Sequence, residues 1–315
     1  MRVMMSAAAS PSAISILLHL RSLGHHITGI DANSDAEQLG KVFCDEFYIG
    51  PLGNSPEYLD FICTRLEHVD VFLPFVDEEL VALANSWERL PTSLTNKIAL
   101  SEPSVVLDCV DKQRFQAACA KNGLPIAPHA SSPLAIFKPR YGRGGRGVLS
   151  IDDQRIYDAV KDHDGVMQQM IFGAEYTVDA IYDREGKLLM TSPRRRVRAA
   201  GVSTIGEVLP DERLHALAQQ LGSVWQFRYA INFQVIRDVD GHDWIIELNP
   251  RLAGSAIFSA MAGCDPFGAT LALWQGSTWE VTAPRPLKVW RFWAEHTEEQ
   301  LKVGDRPHSR LGAPR

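Results

Sequence analysis

The chain has 315 residues, 45% of them hydrophobic, which is too long for one small core and suits two or three lobes. Its net charge of −6 speaks against a general nucleic-acid binder, while its arginines gather at 140–146 and 194–198 in a way that suits local anion binding. Five cysteines without a C-x-x-C pair argue against a zinc or disulfide framework, and with no visible secretory leader or membrane-length apolar run a cytoplasmic location is expected.

The first hundred residues read as a small doubly wound α/β unit. Val3–Met5 predicts a strand, and Ser10 is placed to cap a helix with Pro11 in its first turn. Ile14, Leu17, Leu18 and Leu20 give that helix an apolar side, and Gly24 ends it. Ile27–Ile30 is the next strand, closed by Asp31, and Val69–Leu73 is another, followed by a helix over Asp77–Asn85. Asp77 and Glu78 sit at a carboxyl end where ligands gather, so they either hold an amine or cap the helix.

A second unit opens at Asp111-Lys112, with Phe115, Ala118 and Cys119 on one face of a helix ending at Asn122-Gly123. Lys112 in a first turn opposes the helix dipole, so either an anion lies nearby or the lysine is solvated beside its Asp111 cap. Leu134–Lys138 and Val148–Ile151 read as strands joined by Gly142-Arg-Gly-Gly-Arg-Gly147. A dinucleotide fold needs a helix after such glycines, and here a strand follows. What remains is a hairpin flap whose bare backbone, at Gly144 and Gly145, can approach phosphate with Lys138 at its root as a point charge, or else a glycine-rich surface hairpin with solvated arginines.

After a short helix near 153–161, Val166–Gln169, Glu175–Tyr182 and Leu188–Thr191 read as strands of a larger mixed sheet, with a turn at Arg184–Lys187. The apolar run 166–171 breaks at Gly173, which leaves backbone groups for an adenine edge and places Glu175 to accept from ribose hydroxyls. An ordinary core strand with an edge glutamate explains the same residues. Asp211–Leu221 reads as a helix, and Ser255–Ala262 and Pro266–Gln275 as two more. Residues 301–315 read as a loose tail.

Ala230–Arg237 and Trp244–Asn249 form a hairpin. Pairing Arg237 with Trp244 sets Gln234 opposite Glu247 and Asn232 opposite Asn249, which gathers oxygen-bearing side chains on one patch. Ile231, Phe233, Val235, Ile246 and Leu248 then face the core. One carboxylate among neutral oxygens suits Mg²⁺, with Mn²⁺ as a substitute, and Arg251 would then sit beside the metal; a hydrogen-bonded polar side of a solvent-facing hairpin explains the alternation too, but not the Asn-Pro-Arg that follows.

Taken in order, Asp111-Lys112, the Phe137–Gly147 loop, Gly173–Asp179, Pro193-Arg194, Ile231–Arg237 and Ile246–Arg251 resemble the ATP-grasp superfamily, and within it the carbamoyl-phosphate-synthetase-like carboxylate–amine ligases. The resemblance implies an α/β (α+β) chain built as a pre-ATP-grasp domain at 1–100, a hinged lid at 101–165 and a mixed-sheet nucleotide- and metal-binding subdomain at 166–300. It implies ATP with Mg²⁺, phosphate contacts for Lys112 and Lys138, adenine contacts at Gln169, Met170 and Ile171, and ribose contact for Glu175. Gln234, Glu247 and Asn249 fall on the family's metal-ligand positions and Arg251 on its catalytic arginine. Gln169 departs from the glutamate often found there.

The expected activity is amide formation through an acyl phosphate, releasing ADP and phosphate, on small carboxylate and amine substrates of the amino-acid kind. No nucleic acid or membrane partner is expected, and the oligomeric state stays open, a homodimer being the commonest assembly of oligomers in general. Arg194 and Arg198 are candidates to hold a substrate anion, unless that cluster is a solvated run; the Ala199–Ser203 stretch beside them reads as mobile. Two rivals stand beside this reading: a nicotinamide-dependent oxidoreductase using Asp31, though its first turn lacks glycines, and a non-catalytic ATP-binding subunit.

Overall fold

The computed structural model describes residues 1–142, 144–200, 202–292, 297 and 299, with the backbone alone at Ala199, Ala200 and Val202. The expected tail at 301–315 lies outside the described residues.

Strands β1 (Arg2–Met5), β2 (His26–Asp31), β3 (Glu46–Ile49) and β4 (Val71–Leu73) form a parallel sheet in the order β3-β2-β1-β4. Helices α1 (Ala13–Ser22), α2 (Glu37–Phe43), α3 (Tyr58–Leu66) and α4 (Asp77–Ser86) connect and follow these strands, and α5 (Thr92–Thr95) and α6 (Pro103–Val110) lead onward. Alternation on β1 explains the double winding. Val3 and Met5 join Ile16, Leu17 and Leu20 in one core, while Met4 joins Phe72 and Leu80 in the other. The cap of α1 is Ser12, not Ser10, because Ser10 lies in the preceding turn and its carbonyl accepts the Ala13 N–H at 2.9 Å. Helix α3 carries Tyr58, Ile62 and Leu66 at helical spacing, whereas β3 is a half-buried edge strand without alternation.

Helix α7 (Lys112–Lys121) precedes β5 (Ala135–Pro139), β6 (Leu149–Ile151), α8 (Gln154–Val160) and β7 (Gly165–Gln169). These strands form their own sheet, β6-β5-β7. The segment 166–169 therefore does not join the larger sheet, as its position in the chain suggests. Met167 packs instead with Phe137, Ile151, Tyr157 and Val160 in a separate small core.

The larger sheet takes β8 (Gly173–Tyr182), β9 (Leu188–Ala200), β10 (Val202–Val208), β11 (Tyr229–Asp238), β12 (Asp243–Asn249) and β13 (Leu287–Trp290) in the order β12-β11-β8-β9-β10-β13. Its strand pairs are antiparallel, and one parallel bridge joins Ile126 to Ile245. Helix α9 (Glu212–Trp225) lays Leu214, Leu217, Ala218 and Leu221 on Val178, Ala180, Ile231 and Phe233. Period-two alternation leaves Thr177, Asp179, Asn232 and Gln234 on the opposite face. Helices α10 (Ile257–Met261) and α11 (Pro266–Trp274) complete the chain's order before β13.

On that opposite face Arg194 is 2% exposed and paired with Asp179. It also donates to Ser259 Oγ at 2.6 Å and Ser255 Oγ at 3.2 Å. Those contacts consume its guanidinium, so it is a core residue and not the substrate-holding group that its cluster suggests. Ala199 and Ala200 pair with Ser203 and Val202, so the small-residue stretch belongs to a strand hairpin and not to a mobile loop; Gly201 lies outside the described residues. Removing one partner of a buried ion pair strands the other charge. Arg194→Ala is therefore expected to lower stability by about 3–5 kcal/mol, read as a shift of the urea midpoint; an unchanged midpoint would show that Asp179 is not desolvated.

Candidate active site

The β11–β12 pair carries the floor of the site. Asn232 faces Asn249 and Gln234 faces Glu247, as the alternation predicts. Toward the turn the register slips by one, so that Arg237 pairs with Asp243 and not Trp244, and an irregularity falls between Gln234 and Val235. The turn sets this. The Asp238 carboxylate accepts the N–H groups of Asp240 (3.0 Å) and His242 (2.8 Å) and Trp244 Nε1 (2.8 Å). Arg237 holds Asp243 through Nε at 2.7 Å and Nη2 at 3.1 Å.

The bulge exchanges faces. Ile245, fully buried, takes the core place expected for Ile246. Ile246 turns to line a cleft of about 420 Å³ together with Gln234, Glu247, Asn249 and Arg251. The Ile246 carbonyl accepts Lys138 Nζ at 2.7 Å, which ties the small sheet to the hairpin.

The cleft's other wall is the glycine hairpin. Gly144 and Gly145 line it with φ of 61° and 76°, and a Cβ on either would meet nothing within 4 Å. Backbone N–H groups there can approach an anion without a side chain in the way. Arg143 lies outside the described residues. Asp111, 1% exposed, anchors the root of the hairpin. It caps α7 through the N–H groups of Gln113 (3.0 Å) and Arg114 (3.2 Å) and accepts Arg140 Nη2 at 2.7 Å and Tyr141 Oη at 3.0 Å. Burial pushes its carboxyl upward, but the bonds from Arg140, Arg114 and Tyr141 outweigh that and hold it below its ordinary value.

Lys112 is not a solvated first-turn lysine. Its Nζ donates to the Gly142 carbonyl at 2.9 Å and lies 3.9 Å from Glu247 Oε1. Burial pushes the Lys138 ammonium down from 10.5 to about 8; Lys112 acts in the same direction, and Glu247 and Glu175 oppose it. Arg251 donates from Nε to Asp77 Oδ1 at 2.6 Å and from Nη2 to Asn249 Oδ1 at 3.4 Å. Asn232 Nδ2 fixes the Arg251 backbone carbonyl at 2.8 Å. The cleft thus gathers Lys112, Lys138 and Arg251 beside Gln234, Glu247 and Asn249.

Other expected residues stand apart from it. The N–H of Gln169 is taken by the Pro128 carbonyl and that of Met170 by the Leu134 carbonyl, both at 2.8 Å. Gln169, Met170 and Ile171 do not line the cleft. Glu175 is ion-paired with Arg196, a cleft-lining residue that composition alone does not separate from its neighbours. The signal that finds it is cross-strand: the pairing of Tyr176 with Arg195 puts Glu175 opposite Arg196. Arg198 is exposed on β9 and does not line the cleft, so the structure does not place it as a substrate anchor. Asp77 holds Arg251, and Glu78 lines neighbouring cavities. Asp31, the acid a dinucleotide would need, accepts the N–H groups of Ala9 and Asn33, each at 3.0 Å.

Gln234, Glu247 and Asn249 fit a hard divalent cation. They present oxygens from adjacent strands, with one carboxylate and an open cleft above for phosphate oxygens. Asp238, Asp240 and His242 also cluster among the described residues, but the Asp238 carboxylate is already committed to the hairpin turn.

Comparison with known proteins bears on the fold. Residues 161–294 match a family described as ATP-grasp in the biosynthetic pathway with Ter operon. The chain is 25% identical to the carbamoyl phosphate synthase large chain of Xylella fastidiosa (strain 9a5c), over 78% of this chain and 26% of that one. It therefore spans about a quarter of the length of that curated relative. Its fold superposes on the biotin carboxylase domain of Hydrogenobacter thermophilus 2-oxoglutarate carboxylase, solved with MgADP and bicarbonate, with a TM-score of 0.68 and 17% identity over 90% of this chain and 71% of that one. For N5-carboxyaminoimidazole synthetase from Staphylococcus aureus, complexed with ADP, the TM-score is 0.71 at 12% identity, covering 90% and 79% of the two chains. The chain thus has the ATP-grasp fold, and its residues 161–294 match an ATP-grasp family.

The Lys138 shift has a measurable sign. Between about 8 and 10.5 the folded protein binds fewer protons than the unfolded chain, so ligand-free stability should rise with pH through that window. An anion that needs the ammonium behaves oppositely. Affinity for a triphosphate should fall by up to about tenfold per pH unit above about 8, with proton uptake on binding. Calorimetry in buffers of different ionisation enthalpy checks this, and Lys138→Met should flatten the profile.

Proposed function

We propose that the chain is an ATP-dependent carboxylate–amine ligase that works through an acyl phosphate. The observation that carries this reading is the convergence of the glycine hairpin, Lys112, Lys138 and Arg251 with the oxygen-bearing face of β11–β12 in one cleft. A triphosphate fits there: bare backbone and lysines on one wall, divalent-ion ligands on the other. The ATP- and ADP-bound relatives support the same choice.

Mg²⁺, held by Gln234, Glu247 and Asn249, would neutralise phosphate charge. The protein's own groups orient and neutralise. Lys112 and Lys138 hold the phosphates, and the glycine hairpin excludes water above them. Arg251, fixed by Asp77 and Asn249, faces the charge that develops during transfer. A substrate carboxylate oxygen attacks the γ-phosphorus, the bond to the β-phosphate oxygen breaks, and ADP leaves. An uncharged amine then attacks the acyl carbon, the carbon–oxygen bond breaks, inorganic phosphate leaves, and the amine's proton passes to solvent. No side-chain nucleophile is required.

The acid enters through a cavity of about 720 Å³ at the carboxyl ends of β1 and β2, which shares Gly144, Arg146 and Arg251 with the cleft. Arg146 and Arg251 supply positive charge there. Amino acids suit both roles in size and charge. The adenine edge is assigned to the segment after β7, where Ile171 is left to offer its backbone.

Incubation with MgATP and mixed amino acids should yield ADP and phosphate; AMP with pyrophosphate would sink the acyl-phosphate step. Nucleotide binding without turnover for any acid–amine pair would support a non-catalytic subunit instead. Arg251→Ala should lower turnover by about 10²–10³-fold, the cost of removing one transition-state donor. Glu247→Gln should raise the Mg²⁺ concentration needed for half-maximal rate while leaving thermal unfolding unchanged.

A further inference from the structure

A separate cavity of about 540 Å³ lies between α3, α4 and the root of the glycine hairpin. Cavities of this size commonly take small ligands. Helix α4 presents Asp77, Val81, Ala82 and Asn85 to it, a spacing that keeps them on one face. Leu59, Val110 and Tyr141 complete the apolar walls. Tyr141 is 51% exposed, yet its hydroxyl donates to the buried Asp111 at 3.0 Å. Its ring is therefore held in place as a wall.

Among the described lining residues, charge lies at one end. Asp77 and Glu78 open the first turn of α4, and Asp77 holds Arg251 at 2.6 Å. A ligand cation that meets Asp77 from this side thus arrives beside the arginine assigned to the transferring phosphate. An anion entering the same way would face two carboxylates. Gly142 lines both this cavity and the cleft, so the two communicate at the hairpin root.

We propose that this cavity selects the amine substrate, and that the amine carries an apolar body. Its ammonium rests at the Asp77–Glu78 end until it gives a proton to solvent and attacks as the free amine, and its body packs on Leu59, Val81 and Ala82 beneath Tyr141. This assignment rests on the ligase reading and narrows it to amphipathic amines.

The test is calorimetry on the full chain saturated with Mg²⁺ and a non-hydrolysable ATP analogue. Alkylamines from ethyl to hexyl are titrated, with hexanoate and hexanol as controls. Affinity should climb by up to about fourfold per methylene, and hexanoate should bind at least about tenfold more weakly than hexylamine. Ala82→Trp, which fills the cavity, should erase the dependence on length while analogue affinity stays unchanged. Leu59→Ser should weaken hexylamine more than ethylamine, and serves if the tryptophan variant does not fold. Affinity independent of length, equal binding of hexanoate, or hexylamine binding that survives the Ala82→Trp change overturns the proposal. Failure of the analogue to bind overturns the nucleotide reading as well; analogue binding without amine selectivity overturns this proposal alone.

Discussion

The cleft concentrates positive charge that its own carboxylates do not fully offset. Lys112 and Lys138 both lie close to Glu247, and Arg251 leans on Asp77. The ammonium of Lys138 is depressed chiefly by burial; Glu247 and Glu175 oppose the shift and Lys112 adds to it. Such an arrangement is costly when empty and becomes favourable when a polyanion arrives. Much of the remaining architecture holds these cations in place against their mutual repulsion.

Each cation is tethered by an element distant in sequence. Lys138 comes from the small sheet and is held by a backbone carbonyl of the bulged strand β12. Lys112 opens α7 and is held by the root of the hairpin. Arg251 follows β12 and is held by the first residue of α4. The sheets therefore meet at the charged groups themselves. A ligand that competes for those groups acts on the contacts between the sheets. Asp111 has the same double character, as a helix cap that also fixes Arg140 and Tyr141 at the base of the flap.

Local patterns carried a good part of this to the reader of the sequence. Alternation on 230–237 and 244–249 placed Asn232, Gln234, Glu247 and Asn249 on one face, because side chains on a strand alternate wherever no bulge intervenes. The glycines of 142–147 announced a turn with bare backbone between strands. Edge elements such as Glu46–Ile49 were illegible, since a half-buried strand need not alternate. The arginines of 194–198 were legible only as charge. Arg194 lies in the core, Arg196 lines the cleft and Arg198 is exposed, although strict alternation would treat them alike.

The chain by itself determined which chemistry was on offer: cations beside glycines, and one carboxylate spaced from an amide on a strand. Those are short-range properties, set by residue type and backbone period. Only the tertiary structure decided where the charges went. The bulge that turns Ile246 into the cleft, the burial of Arg194 against Asp179, and the meeting of Asp77 with Arg251 join groups far apart in the chain. Their energies come from desolvation and from partners that packing brings together, and no local pattern encodes either.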